Sequence, residues 1–261
     1  MVRLHRGPIA LELDPSDGAR IISFTWQNLQ LVAERREGVD AWGWFAMAPW
    51  AGRVRNGVLA TPQGEVTLPR AKDHAIHGFA VRQPWQVEHV DETRCVLSSP
   101  TPEPYHGGVM QQEIELGRLA VHWTVTFIGG EMQMPAWVGL HPWFRRRLSR
   151  GHEGKVEFSA GRMLERDAVG LPTGATVDPT PGPYDDAFTS MNGSPSVYWP
   201  GALRLVVESI SPWWVIYDGH PGALCVEPQS SPPDAANLNL APVLGPGEKV
   251  SVSATFRIVP D

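Results

Sequence analysis

The strongest constraint on the fold is a regular alternation of apolar and polar residues that recurs along the chain. Residues 119–127 and 250–258 are apolar at every second position, and a shorter run places Ile22, Phe24 and Trp26 on one face. Successive side chains of a β-strand point to opposite faces of its sheet, so this pattern is typical of strands with one buried face. The pattern therefore predicts β-strands near the beginning, the middle and the end of the chain.

Shorter segments and the turns between them complete an all-β prediction. Further candidate strands are residues 85–90, 155–159, 202–208, 214–217 and 223–227. The 25 prolines and 26 glycines are many for a helical protein, because both residues break helix interiors. A short helix near residues 234–237 stays open, and residues 28–45 are ambiguous. We predict an all-β fold, a large antiparallel β-sandwich or barrel, in one domain over residues 1–261.

The net charge and the cysteines argue against several kinds of partner. A formal net charge of −6 argues against nucleic acid, because that partner requires clustered Lys and Arg. No stretch is apolar for the length of a membrane helix, and the N-terminal segment shows no signal-peptide pattern. Nothing in the spacing of Cys95 and Cys225 supports a disulfide. We expect a cytoplasmic protein with reduced thiols and neither a nucleic-acid nor a membrane partner.

Three histidines are candidates for chemistry. His77 precedes a glycine outside any periodic pattern, which favours a loop or strand end where a side chain can point into a cleft. His74 lies three residues earlier, so the two could bind a metal, although such sites usually need a third ligand. His141 follows an apolar segment and precedes a proline that stops sheet pairing, a position suited to acid–base chemistry. Each could instead be a buried histidine with satisfied hydrogen bonds.

Glu227 and two groups of charged residues are further candidates. Glu227 ends an apolar strand, where a carboxylate is costly to bury without compensation; alternatively it meets solvent at the strand tip. Arg53 follows a glycine that allows close approach of a ligand, but Arg55 falls on the same face and is not distinguished from it. Asp185 and Asp186 could bind hydroxyl groups or an arginine, or be solvated in a turn.

The chain contains 11 tryptophans. An indole ring packs well in a core, and it also lines sugar sites, where the apolar face of a pyranose lies on the ring. We expect most tryptophans in the core and about one to three at a ligand. Trp143, two residues after His141, and His74 are our candidate substrate contacts beside the charged residues.

Several segments, in their order along the chain, resemble the aldose 1-epimerase, or galactose mutarotase-like, family. They are PWAGRVRNG, AIHGFA, GLHPWF, YDDAFT and CVEPQSSPPDAAN, followed by the closing LGPGEKVSVSATFRI. The matches run from about residue 49 to the C-terminus. The resemblance implies the family's galactose mutarotase-like β-supersandwich and its activity, the exchange of sugar anomers.

The resemblance also implies a role for each motif residue. Glu227 would be the general base on the anomeric hydroxyl, and His141 the general acid at the ring oxygen. His77 would help to hold and protonate that oxygen, while Arg53 and Asp185 would bind sugar hydroxyls. A monosaccharide is the implied partner, with no cofactor and no metal, and we expect a monomer or a homodimer.

Three alternatives stay open. A hexose-6-phosphate 1-epimerase of the same superfamily could use Arg145-Arg146-Arg147 to reach a phosphate, although these residues could equally form a solvated basic turn. A non-catalytic sugar-binding protein would account for the tryptophans without needing both Glu227 and His141. A metal-dependent β-barrel enzyme would use His74, His77 and a carboxylate.

Overall fold

The computed structural model describes residues 1–261, and nearly all its regular structure is β-strand. The strands are β1 (Val2–Arg6), β2 (Ile9–Asp14), β3 (Arg20–Trp26), β4 (Leu29–Gln30), β5 (Trp44–Met47), β6 (Arg53–Val54), β7 (Val58–Thr61), β8 (Gly64–Thr67), β9 (Ala75–Ile76), β10 (Gln86–Val90), β11 (Arg94–Pro100), β12 (Val109–Leu116), β13 (Ala120–Ile128), β14 (Met134–Pro135), β15 (Gly139–Arg145), β16 (Lys155–Glu157), β17 (Ala160–Arg166), β18 (Pro172–Val177), β19 (Asp185–Met191), β20 (Ser196–Trp199), β21 (Leu203–Glu208), β22 (Trp213–Tyr217), β23 (Ala223–Gln229), β24 (Val243–Leu244) and β25 (Lys249–Pro260). Two 3₁₀ turns, Arg55–Gly57 and Ala80–Arg82, are the helical segments, and no helix is long and apolar enough to cross a membrane. Cys95 and Cys225 are buried and unpaired.

Two large antiparallel sheets pack face to face. The first has eleven strands in the order β1-β2-β3-β5-β15-β23-β22-β19-β17-β18, with β4 on β3, and the second has eight in the order β10-β11-β12-β13-β25-β21-β20-β16. Trp44 of the first sheet contacts Trp123 and Phe256 of the second, within a core cluster of 66 buried residues. The predicted all-β antiparallel sandwich is confirmed.

The predicted alternation is present in β13 and β25, which are neighbours in the second sheet. Val125 lies opposite Val252, and both are buried. The adjacent Thr124 and Ser253 point to the other face, where their hydroxyl groups lie 2.8 Å apart. One face of these strands therefore packs in the core and the other meets solvent.

The alternation predicted for Ile22 is wrong. Glu12 and Leu13 of β2 pair with Ser23 and Ile21 of β3, which leaves Ile22 as an extra residue. Ile21 is fully buried, whereas Ile22 is half-buried. A β-bulge of this kind reverses the alternation, so a strict period of two places the wrong isoleucine in the core.

The short helix considered near residues 234–237 is absent, because residues 233–239 form turns. Asp234 has a φ of 61°, in the left-handed region, which a right-handed helix does not allow. Its carboxylate accepts hydrogen bonds from the main-chain N–H of Arg55 at 2.9 Å and from the side chain of Asn237 at 2.7 Å. These contacts fasten the turns beside β6.

Alternation along β15 and β23 decides which side chains leave the core. Leu140 and Phe144 on β15, and Val226 on β23, are fully buried members of the core. Because successive residues point to opposite faces of a sheet, His141 and Glu227 face the other side of the first sheet.

Candidate functional site

A cavity of about 260 Å³ lies on that outer face of the first sheet. Six of the seven site residues predicted from the sequence line it: Arg53, His77, His141, Trp143, Asp185 and Glu227. His74 is not among its lining residues. The sandwich thus brings the motifs around residues 53, 77, 141, 185 and 227 to one place.

His141 and Glu227 face each other from neighbouring strands. The register of β15 and β23 pairs Trp143 with Cys225, which places His141 opposite Glu227 two residues further along. Nε2 of His141 lies 3.4 Å from Oε1 of Glu227, and the two residues are only 5% and 3% exposed. Directly opposed residues of an antiparallel pair are close neighbours, so the sheet itself holds this pair together.

Burial acts against a charge on either member of the pair. It raises the pKa of Glu227 well above its usual value, and the charge of Asp185 adds to this rise. It lowers the pKa of His141 to about 3, and the positive charge of Arg20 adds to that effect. Although the distance would suit an ion pair, desolvation favours a neutral imidazole beside a protonated carboxyl. Beyond the N–H proton of the neutral imidazole, the pair then carries one ionisable proton, which is called the shared proton.

His77 lies against His141. The two imidazole rings are 4.8 Å apart in an edge-to-face arrangement, and Phe45 packs on both. Nδ1 of each histidine is buried without a hydrogen-bond partner. Burial, followed by the neighbouring His141, lowers the pKa of His77 well below its usual value. A second neutral imidazole thus stands beside the proton-sharing pair.

The backbone at His77 is unusual and firmly held. His77 has a φ of 57°, in the left-handed region that residues other than glycine rarely enter. Its main-chain N–H donates to the carbonyl of Gly52 at 3.0 Å. Arg82 donates to the carbonyls of Ile76 at 3.0 Å and Gly78 at 3.1 Å. The loop is therefore tied on both sides of the imidazole.

Arg53 and Asp185 face each other at the exposed side of the cavity. Nη1 of Arg53 lies 3.6 Å from Oδ2 of Asp185, and their side chains are 43% and 42% exposed. Arg55, which the sequence did not distinguish from Arg53, is directed elsewhere and pairs with Asp167 at 2.8 Å and Asp234 at 3.4 Å. The structure thus places Arg53, and not Arg55, at the cavity.

Asp186 and Arg166 form a second ion pair at the cavity. Asp186 is only 5% exposed, so the interpretation of a solvated acid is wrong for it. Nε of Arg166 lies 2.8 Å from its Oδ1, and Arg166 also donates to the main-chain carbonyl of Asp185 at 3.0 Å. Arg166 could not be predicted from the sequence, because no motif marks it and only the pairing of β17 with β19 brings it to Asp186.

Trp143 forms one wall of the cavity. Its ring stacks on the imidazole two residues earlier, with ring centres 5.2 Å apart, and its Nε1 donates to the carbonyl of Asp40 at 3.0 Å. Asp40 lines the cavity from the loop between β4 and β5. Arg20 is fully buried and holds that loop by donating to the carbonyls of Val39 and Trp42, each at 2.5 Å.

His74 lies outside this arrangement, so the structure does not bring it together with the other predicted site residues. Its Nδ1 accepts a hydrogen bond from the main-chain N–H of Asn56 at 3.1 Å, so it supports the turn after Arg53. His74 and His77 belong to no group of three His, Cys, Asp or Glu side chains whose ligand atoms could converge on one ion. The metal-dependent alternative built on these two histidines lacks its third ligand.

The basic run Arg145-Arg146-Arg147 is also away from the cavity lining. Arg145 pairs with Glu34 at 2.9 Å. Arg146 and Arg147 both reach Glu153, at 3.7 and 2.5 Å. Each arginine therefore has an acidic partner on the protein itself.

Comparison with known proteins points to one family. The family model described as Aldose 1-epimerase matches residues 15–257. No curated protein matches the sequence.

Solved structures share the fold at low sequence identity. A proposed aldose 1-epimerase from Escherichia coli K12 is 19% identical, with a TM-score of 0.87 over 99% of this chain and 98% of the other. A galactose mutarotase-like protein from Clostridium acetobutylicum is 17% identical, with a TM-score of 0.86 over 99% and 95%. An aldose epimerase homologue from C. elegans is 16% identical, with a TM-score of 0.84 over 99% and 98%.

Proposed function

This chain belongs to the aldose 1-epimerase family, and from that membership we propose that it interconverts the α and β anomers of a free aldose. The observation that supports the proposal most is the 3.4 Å approach of His141 Nε2 to Glu227 Oε1 at a cavity of about 260 Å³. An acid and a base beside a pocket for a small molecule suit this reaction, which consists of proton transfers alone.

Ring opening requires two coupled proton transfers. Glu227 takes the proton from the hydroxyl on C1, and His141 donates a proton to the ring oxygen. The bond between C1 and the ring oxygen breaks, its electron pair stays on that oxygen, and C1 becomes an aldehyde carbon. Rotation about the C1–C2 bond presents the other face of the aldehyde, and the reverse transfers close the ring. Each transfer by a positioned side chain typically contributes roughly 10²–10⁴-fold.

The shared proton reconciles this mechanism with the burial of the pair. Moving that proton from Glu227 to His141 gives the carboxylate and the imidazolium without changing the total number of protons. A bound sugar offers hydroxyl donors to the carboxylate, and such hydrogen bonds favour its charged form. The carboxylate and the imidazolium thus form with the substrate in place, so the hydrogen bonds that stabilise them are made only in the substrate complex.

The remaining residues would bind and orient the sugar. Arg53 and Asp185 are 3.6 Å apart and largely accessible, so both keep hydrogen-bonding capacity for sugar hydroxyls. His77 would hold the ring oxygen beside His141, and Trp143, whose ring stacks on His141, would form an apolar part of the lining.

We favour an unphosphorylated substrate over a hexose 6-phosphate. With the Glu227 carboxyl protonated, the charged groups that line the cavity are three acids and two arginines: Asp40, Asp185, Asp186, Arg53 and Arg166. An excess of acidic groups disfavours a phosphate dianion. The arginines of the Arg145-Arg146-Arg147 run are already paired with glutamates of the protein. Glucose should therefore exceed glucose 6-phosphate in kcat/KM by about tenfold or more; the opposite order would identify a sugar-phosphate enzyme.

The proposal is tested by polarimetry of a freshly dissolved pure anomer. The wild-type protein should accelerate the exchange above the uncatalysed rate, and Glu227→Gln should lose about 100-fold or more of that acceleration while still binding sugar. Glu65→Gln, at an exposed position, is the matched control and should be unchanged. Wild-type activity in Glu227→Gln would refute the assigned base. A protein that binds sugars and accelerates no exchange would be the non-catalytic sugar binder.

A further inference from the structure

Three neighbouring strands of the first sheet carry apolar side chains on both faces. Phe188 of β19 belongs to the main core, as do its opposed residues on β17 and β22. The next position on each strand belongs to a separate small cluster, formed by Leu164, Ala187 and Val215. All three residues line the cavity. The apolar surface of this cluster therefore faces the space where a ligand would lie.

This apolar surface begins beside Glu227. Val215 lies opposite Glu227, and Ala187 lies opposite Val215. Adjacent strands are about 4.8 Å apart, so Ala187 lies about 10 Å from Glu227 across the sheet. Pro172, the first residue of the edge strand β18, and Leu171 before it line the same cavity. Together these cavity-lining residues form an apolar wall: Leu164, Leu171, Pro172, Ala187 and Val215.

The hydrogen-bonding side chains lie in the adjacent row. Tyr217 and Asp185 oppose each other two residues along β22 and β19 from Val215 and Ala187. The apolar wall has no side-chain donor or acceptor, and the main-chain groups of its central strands are engaged in the sheet. A sugar hydroxyl pressed against the wall would lose its water without gaining a partner. A sugar that fits must present C–H bonds there.

We propose that the apolar wall is a subsite for a hydroxyl-free surface of the sugar. The inference rests on the proposed anomer exchange and names the class of aldose that the site accepts. Accepted aldoses turn toward the wall either a ring face with no axial hydroxyl or a deoxy carbon. An aldose that directs a hydroxyl at the wall loses roughly 10- to 100-fold in kcat/KM.

Two sets of sugars distinguish a ring face from a deoxy carbon. The first set is glucose and its epimers at C2, C3 and C4, which are mannose, allose and galactose. The second pairs glucose with 2-deoxyglucose and galactose with 6-deoxygalactose. In at least one comparison, kcat/KM for the sugar that directs a hydroxyl at the wall should be about tenfold or more below that of its partner. A difference in the first set identifies a ring face as the surface against the wall, and a difference in the second set identifies a deoxy carbon. Values of kcat/KM that agree within about threefold in every comparison would overturn the proposal.

A variant that adds one hydroxyl to the wall links the selectivity to these residues. Val215→Thr keeps the shape of the side chain and offers a hydrogen-bond partner beside Glu227. The loss in kcat/KM for a sugar that directs a hydroxyl at the wall should therefore shrink by about threefold or more. Val259→Thr, a partly exposed position on β25, is the matched control and should change nothing. Ala187→Ser makes the same test on the next strand if Val215→Thr does not fold. An unchanged penalty in the folded variants would overturn the proposal.

Binding to Glu227→Gln separates this inference from the proposed function. Affinities for the same sugars, followed by tryptophan fluorescence, should rank them in the same order as the wall predicts, because binding needs no proton transfer. If the wild-type protein exchanges no anomers while this order persists, the proposed function fails and the subsite stands. Equal affinities for all the sugars, or binding of none, would overturn the subsite.

Discussion

Arg82 binds the main-chain carbonyl groups on both sides of His77, at 3.0 Å to Ile76 and 3.1 Å to Gly78. His77 has a φ of 57°, a conformation that costs roughly 1–3 kcal/mol outside glycine. A strained loop keeps such a conformation only where the surroundings hold it. One guanidinium thus fixes the direction of an imidazole that it does not itself touch.

Arg82→Met tests that role. The change keeps the aliphatic part of the side chain and removes both donors, so the loop should relax and the imidazole of His77 should move. Because a displacement of about 1 Å can lower a rate by about 100-fold, we expect kcat to fall about 10- to 100-fold, with a smaller change in KM. Arg162→Met, which removes an exposed arginine bonded to the carbonyl of Thr176, is the control. A lower Tm with unchanged kcat would show that Arg82 only stabilises the fold.

The pH dependence of kcat/KM tests the shared proton. With falling pH, His141 gains a second proton and the pair can no longer accept a proton from the sugar. This acid loss of activity should come near pH 3, because burial lowers the pKa of His141 to about 3. With rising pH, the pair loses the shared proton when Glu227 ionises, above the usual carboxyl range. The acid loss should therefore lie far below 6.5, the ordinary histidine value. Circular dichroism at each pH verifies folding, and an acid loss near 6.5 would contradict a buried neutral His141.

The stability of Glu227→Gln should depend on pH in a defined direction. The pKa of Glu227 is raised in the folded protein, so between 4.5 and that raised value the folded state binds more protons than the unfolded state. Wild-type stability must then fall as pH rises through this window, and glutamine, which does not titrate, escapes the loss. We expect the variant to gain on the wild type by about 1.4 kcal/mol for each pH unit of that window.

Urea unfolding at pH 4 and pH 8 measures this gain. The two proteins should differ little at pH 4, and the variant should be the more stable at pH 8, with Glu65→Gln following the wild type at both. If the variant is less stable than the wild type at pH 8, the folded protein must stabilise the ionised carboxylate of Glu227.

The sequence predicted those parts of the molecule that depend on local pattern. The alternation in β13 and β25 requires only a period of two, so both strands could be predicted. Glu227 and His141 could be singled out because Glu227 ends an apolar strand and His141 follows an apolar segment, where burial of a polar group is costly without compensation. Their separation along the chain hid the distance between them, which follows from the pairing of β15 with β23.

What the sequence could not predict depends on contacts between distant strands. Ile22 lies outside the core because of a β-bulge, and that bulge depends on the pairing of β3 with β2. Asp186 looked like a solvated acid because its arginine partner, Arg166, lies on another strand. His74 looked like a ligand because it lies near His77, yet strand β9 separates the two and the His74 imidazole binds the main chain of Asn56. In each example the deciding neighbour is remote in sequence.

Gly78 should be the least replaceable glycine of the site. It has a φ of +67°, and a Cβ there would lie 2.0 Å from the carbonyl oxygen of Ala48, main-chain atoms that have little freedom to move. Gly7 has a similar φ of +59° but nothing within 4 Å of such a Cβ. Gly7→Ala should therefore cost only the left-handed conformation, about 1–2 kcal/mol.

Gly78→Ala should lose about 1–3 kcal/mol more than that control through the clash. It should also lower kcat, because a shift of the main chain at Gly78 would displace the preceding residue, His77. Urea unfolding and polarimetry of both variants measure the two effects. Equal stability of the two variants would mean that the segment around Ala48 yields easily, and the position of the imidazole would then depend on the hydrogen bonds of Arg82 rather than on this close contact.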